Sequence, residues 1–116
     1  MNSLTLIGEV ASDPVYFCTE KAQDLTRIQI RTTDDRGQTT LHHCQAWGPL
    51  ALDLHRHLRK GEWFMVRGPL KYRPLRVGNR QVQLPYVHIA AHTYLGRVTG
   101  VRPPTDRSQL RVAAAS

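Results

Sequence analysis

Gly48-Pro49-Leu50-Ala51-Leu52-Asp53-Leu54-His55-Arg56-His57-Leu58-Arg59-Lys60-Gly61 breaks the pattern of everything around it. Leu50, Leu54 and Leu58 recur at helical spacing between a Gly-Pro start and a Lys-Gly stop, which predicts one short helix of about ten residues. The flanking segments read as strands. Upstream, Leu4 to Val10 is a strand with Gly8 inside it, the sign of a bend or bulge, and Ser12-Asp13-Pro14 turns the chain. Val15 to Cys18 adds a short extended piece, and Glu20 to Asp24 is a polar loop. Arg27-Ile28-Gln29-Ile30-Arg31 alternates, with the isoleucines toward a core and the other three opposite. Asp34-Asp35-Arg36-Gly37 is a turn, and Thr39 to Trp47 is the next strand.

Downstream, Glu62 to Leu70 is a strand broken by Gly68-Pro69, Gly78-Asn79 turns a long hairpin, and Val82 to Ala90 returns. Phe64 and Val66 read as core, which points Trp63, Met65 and Arg67 outward. Three strands, one helix and two strands is the order of an all-β, five-stranded Greek-key OB-fold barrel with its helix between strands 3 and 4. At 116 residues the chain is one domain, expected over residues 1–98. Residues 99–116, rich in Pro and Arg and without periodicity, read as a flexible basic C-terminal tail.

Charge is divided unevenly. Met1 to Asp53 carries four basic and seven acidic residues, whereas Leu54 to Ser116 carries twelve basic residues against Glu62 and Asp106. Arg67, Lys71, Arg73, Arg76 and Arg80 crowd the hairpin around Tyr72, and no acidic residue falls between Arg67 and Arg97. A basic hairpin on a small β-domain is a surface for a polyanion, nucleic acid first. Thirteen of the 16 basic residues are Arg, whose flat fork grips phosphate and stacks on bases.

Cys18 and Cys44 are too few for a disulfide framework and are expected to pack as small hydrophobes. With no apolar run near the roughly 18 residues of a spanning helix and no signal-like amino terminus, the expectation is a cytoplasmic, nucleoid-associated protein without a membrane partner.

These residues resemble the bacterial single-stranded DNA-binding protein (SSB) family. Leu4-Thr5-Leu6-Ile7-Gly8 followed by Asp13-Pro14 is similar to that family's opening, and His42 lies where it carries Trp-His-Arg. Trp47-Gly48 with Leu50-Ala51 resembles its entry to the helix; Leu58-Arg59-Lys60-Gly61 and Val66-Arg67-Gly68-Pro69-Leu70 resemble the helix exit and the fourth strand. The resemblance implies an OB-fold homo-oligomer, dimer or tetramer, that binds single-stranded DNA with little sequence preference in DNA replication, repair or recombination. The device is a basic groove with aromatic platforms, since every base has a face to stack and every nucleotide a phosphate.

Two departures qualify it. The family's four stacking positions fall on Arg36, Leu41, Trp47 and Leu75, and only Trp47 is aromatic. The family commonly ends in an acidic tip that recruits replication and repair proteins, whereas this sequence reads Ala113-Ala114-Ala115-Ser116 after a basic stretch. A tail-less accessory member, comparable to primosomal replication protein N, is implied, and the alternative is a protein-interaction OB module of a primosome with weak DNA binding.

The expected DNA-binding residues are Trp47, Arg31, Arg36, Leu41, His42, Lys60, Lys71, Tyr72, Arg73, Leu75, Arg76 and Arg80. Leu4, Leu6, Trp63 and Met65 are expected at an oligomer interface. The pairs His42-His43, His55-x-His57 and His88-x3-His92 do not make a metal set, because strand neighbours face opposite ways and no CxxC is present. Without a carboxylate pair or a nucleophile–base motif, neither catalysis nor a cofactor is expected.

Overall fold

The computed structural model describes residues 2–97; the expected basic tail lies outside them. The chain runs β1 (Leu4–Val10), β2 (Val15–Cys18), β3 (Asp24–Thr33), β4 (Thr39–Trp47), α1 (Pro49–His57), β5 (Trp63–Gly68), β6 (Leu70–Val77), β7 (Arg80–His88) and β8 (Ala91–Gly96). Along the sheet the order is β6-β7-β4-β3-β1-β5-β8, with β2 paired to β3. The result is an OB-like all-β fold with one helix.

The expected all-β OB reading holds, with two differences in detail from a five-stranded barrel. The sheet has eight strands, and its hydrogen-bonded path is open, ending at β6 and β8. The fourth expected strand is divided at Pro69, which has no N–H to continue a ladder. Its first half, β5, pairs with β1, and its second half, β6, pairs with β7. Chain continuity through Pro69, rather than a ladder, therefore joins the two ends of the curved sheet. β8 is a further strand beyond those expected, antiparallel to β5. Its sequence, Ala-His-Thr-Tyr-Leu-Gly, has too little apolar alternation to announce itself, yet His92 and Tyr94 hold their rings 5.7 and 5.3 Å from Phe64.

The junction is tight. Ala90 N–H donates to the Arg67 carbonyl at 2.9 Å and His88 N–H to the Pro69 carbonyl at 3.0 Å, so the end of β7 crosses the β5–β6 junction directly. A Cβ at Gly68 would collide with the His88 carbonyl, and one at Gly8 with the Arg31 carbonyl. Glycine at these two positions is a steric requirement.

Inward residues follow the expected alternation: Ile28, Ile30, Phe64 and Val66 are buried with Val10, Cys44 and Ala46. Burial without a charged partner pushes the Cys44 thiol up to about 12, so it is an inert core residue. Cys18, expected to pack likewise, is exposed at the end of the edge strand β2. α1 closes the lower end of the core with Ala51 and Leu54, and Leu58 follows just past its last turn. Thr26, buried in β3, satisfies its hydroxyl by donating to the Ala51 carbonyl at 2.7 Å. After the helix, Lys60 N–H donates to Asp13 at 2.9 Å, which gives the Asp13-Pro14 turn a structural task.

Leu6 faces the core at 7% exposure and Leu4 packs partly against it, a correction to their expected place at an oligomer interface. Both share the Gly8 side of β1, opposite Val66 and Gly68. The outward residues of β1 are Thr5, Ile7 and Glu9, with Met65 and Trp63 beside the last two.

Gly68→Ala should lower stability by roughly 2–4 kcal/mol, since backbone must move to admit a methyl group. Urea unfolding would read this as a lower midpoint with an unchanged slope.

Candidate nucleic-acid interface

The outer face of the sheet can be traced strand by strand from the register. Between β3 and β4, Leu25 lies opposite Trp47, Arg27 opposite Gln45, Gln29 opposite His43 and Arg31 opposite Leu41. The residues alternating with them, Ile28, Ile30, Cys44 and Ala46, point into the core, so these pairs lie on the opposite face of the sheet, where Leu25 and Gln45 are themselves covered by neighbouring side chains. Val15 and Phe17 of β2 border the same face opposite Arg27 and Leu25. On the other side Gln45 lies opposite His88. Alternation along β7 carries the face through Tyr86, Leu84, Val82 and Arg80, and their β6 partners are Lys71, Arg73, Leu75 and Val77.

Of the expected DNA-binding residues, the fold gathers Trp47, Arg31, Leu41, Lys71, Arg73, Leu75 and Arg80 on this face. Tyr72 and Arg76 are not among them: they lie opposite Pro85 and Gln81 on the reverse side of the hairpin. The two-residue connection at Gly78-Asn79, with φ of 61° at Gly78, fixes that register. His42 sits on the Ile30 side of β4 with Nε2 2.8 Å from the Thr32 hydroxyl. Arg36 is exposed at the tip of the β3–β4 turn, where its N–H donates to Asp34 at 2.9 Å. Lys60 is exposed beyond α1.

Apolar surface is present but thin in aromatics. Leu41 and Leu75 are exposed, and Trp47 is half-buried beside a depression lined by Gln23, Asp24, Gly48 and His88. Two residues outside the expected set also belong to this face: Phe17, 40% exposed, and Arg27, whose guanidinium carbon sits 4.7 Å from the Phe17 ring centroid. Arg27 was visible as an outward residue of an alternating strand, but nothing local paired it with Phe17, ten positions away.

The cations on this face carry little compensation. Arg31 reaches Glu9 at 3.4 Å, an exposed pair worth little in water. Among the described residues, Arg27, Lys71, Arg73 and Arg80 have no ion pair with a carboxylate. Burial, then the nearby Arg73, lowers the pKa of Arg27. Burial, then Lys71, lowers that of His88; burial, then His43, lowers that of His42. For Arg27 and His88, which lie on this face, the secondary cause is a like charge, in keeping with a surface that concentrates positive potential; His42 lies on the other side of β4.

An OB-like all-β domain with a cationic, sparsely aromatic outer face is the class that fold and site define. The chain belongs to the single-strand binding protein family, whose model matches residues 1–95. It is 31% identical over 72 residues to a protein described as "Single-stranded DNA-binding protein" from Malacoplasma penetrans (strain HF-2), a match covering 60% of this chain and 38% of that relative. The chain thus spans under two-fifths of the length of the relative it matches. No helix among the described residues is long and apolar enough to cross a membrane.

His42 and His88 have folded pKa values below the ordinary 6.5, so the unfolded chain binds more protons as pH drops through that region. Their contribution to stability is complete above about 6.5 and is lost as pH falls through the lowered folded values. The urea midpoint should therefore decrease between pH 7.5 and 5.5, and His88→Gln should lessen the decrease.

Proposed function

We propose that this protein binds single-stranded DNA with little sequence preference and serves DNA replication, repair or recombination in the cytoplasm, at the nucleoid. The observation that carries the reading is the single outer face that Trp47, Leu41 and Leu75 share with Lys71, Arg73 and Arg80, three cations with no carboxylate partner among the described residues. Bases can lie on the apolar positions while phosphates meet the cations, and neither contact reads base edges. The family match over residues 1–95 and the printed description of the relative support the same reading. The protein acts as a binder rather than an enzyme.

Self-association belongs to the proposal. β1 pairs with β3 only at Glu9 and Val10, so the edge of β1 from Leu4 to Gly8 has no partner on that side among the described residues. An open edge is a template for another strand. Ile7, Trp63 and Met65, half-buried on the outer surface next to it, supply apolar area for a second copy. Trp63 and Met65 thus keep their proposed place at the oligomer interface, and Ile7 joins them in place of Leu4 and Leu6.

Because stacking contributes ~1–3 kcal/mol per base and only Trp47 offers a full aromatic platform at the family positions, affinity should lean on arginine and fall steeply with salt. Fluorescence anisotropy with labelled oligo-dT of ~35 nucleotides tests this against duplex of equal length. Preference for the single strand is expected, with a loss of ~1–3 kcal/mol in Trp47→Ala and a shallower salt slope in Arg73→Ala. Tyr72→Ala, on the reverse side, should change affinity little. Equal binding to duplex, or an unchanged Kd in Trp47→Ala, would sink the assignment of this face.

A further inference from the structure

The cleft between β2, β3, β4 and β6 holds Arg27 and Arg73 together with Phe17, His43, Gln29 and Gln45, around a cavity of about 210 Å³. Arg27 is fixed from two sides. Its guanidinium rests on Phe17, and its Nε is enclosed, reaching no acceptor. Arg73 comes across from β6 near enough for its charge to oppose that of Arg27. Neither guanidinium has a carboxylate partner among the described residues.

A fold gains nothing by holding two like charges side by side with one buried N–H unsatisfied; each feature costs stability. An Arg serving only to cover Phe17 would be expected to leave its donors in water. A tetrahedral oxyanion entering the cleft offsets the repulsion. It accepts from the Nη–H groups at the end of the Arg27 guanidinium, neutralises the opposition of Arg73, and meets the His43 ring at the rim.

We infer that Arg27 and Arg73 form one shared phosphate-binding position, with Phe17 orienting the Arg27 guanidinium and His43 completing the rim. This deepens the single-stranded DNA reading and rests on it for the source of the phosphate, a phosphodiester of the bound strand. Arg27 is then a positioned anion receptor, unlike Lys71 and Arg80, which lie exposed along the hairpin.

The test combines oligo-dT affinity over a salt series with the 15N–1H resonance of Arg27 Nε–Hε. Arg27→Gln and Arg73→Gln should each raise Kd about tenfold, the scale of a lost charged hydrogen bond. Their double variant should lower the salt slope by about 0.7, one single-strand phosphate, rather than about 1.4 for two separate ones. The Nε–Hε signal should move on adding oligo-dT to the native protein and move far less in Arg73→Gln. A loss of about 1.4 in slope, an Arg27→Gln variant that binds like the native protein, or a silent Nε–Hε signal overturns the shared site. Should Arg27→Gln fail to fold, Arg27→Lys retains the charge while removing the guanidinium fork, and the same Kd comparison applies. If the native protein does not bind oligo-dT, the DNA reading fails by itself. Titration with inorganic phosphate then decides the site: an Nε–Hε shift dependent on Arg73 retains it as a free-phosphate site, and no shift removes it.

Discussion

The close crossing at Gly68-Pro69 is the constraint on which the functional surface depends. One continuous piece of chain must serve two ladders, first with β1 and then with β7. It changes allegiance where glycine lets the His88 carbonyl approach and proline ends the first set of hydrogen bonds. Because β7 also touches β4 at Cys44 and Gln45, the junction fixes which side of the hairpin continues the outer face of β3 and β4. Lys71, Arg73 and Leu75 join Trp47 and Leu41 for this reason, and Tyr72 and Arg76 do not. A shift of one residue at Pro69 would exchange the two sets.

Electrostatics on that face follow from where the carboxylates are used. Asp13 accepts from Lys60 N–H, Asp34 from two backbone N–H groups of its turn, and Glu62 from Arg59 N–H. Asp24 accepts from the Tyr16 hydroxyl, which is pushed up to about 12 chiefly by that bond. Asp53 engages His57 at 3.0 Å. These acids secure turns and the surroundings of the helix, while Glu9 reaches Arg31 on the outer face. The positive potential of the hairpin thus reflects both an excess of arginine and the commitment of these carboxylates elsewhere in the fold.

Much of this was readable in the sequence where periodicity and burial coincide. The helix, the Ile28–Ile30 and Phe64–Val66 core pairs and the Gly78-Asn79 hairpin turn all follow from local pattern. What escaped depends on partners distant in sequence. β8 is specified by Phe64 stacking on His92 and Tyr94 rather than by an alternation of its own. Leu4 and Leu6 take the inward side of β1 because Gly8, of the same parity, must face the Arg31 carbonyl. Every second hairpin residue could be assigned a common face, but which set meets the groove is decided across Pro69. Arg27 gained significance only through Phe17 and Arg73, supplied by two other strands.

The loss of aromatic platforms and the gathering of arginines are two sides of one physical trade. Stacking is short-ranged and nearly indifferent to salt, whereas phosphate neutralisation draws its free energy from released counterions and weakens as salt rises. In the proposed role, a face with Trp47 as its principal aromatic and Arg27, Lys71, Arg73 and Arg80 as cations would draw mainly on the second source. Positioning then matters more than charge count, because mobile arginines must be ordered when they bind. The Arg27 guanidinium held on Phe17 has met part of that ordering cost during folding, at the expense of an unsatisfied donor and a repulsive neighbour. In the proposed role, an anion between Arg27 and Arg73 offsets their repulsion, which is how a surface poor in aromatics would still favour a phosphate chain over water.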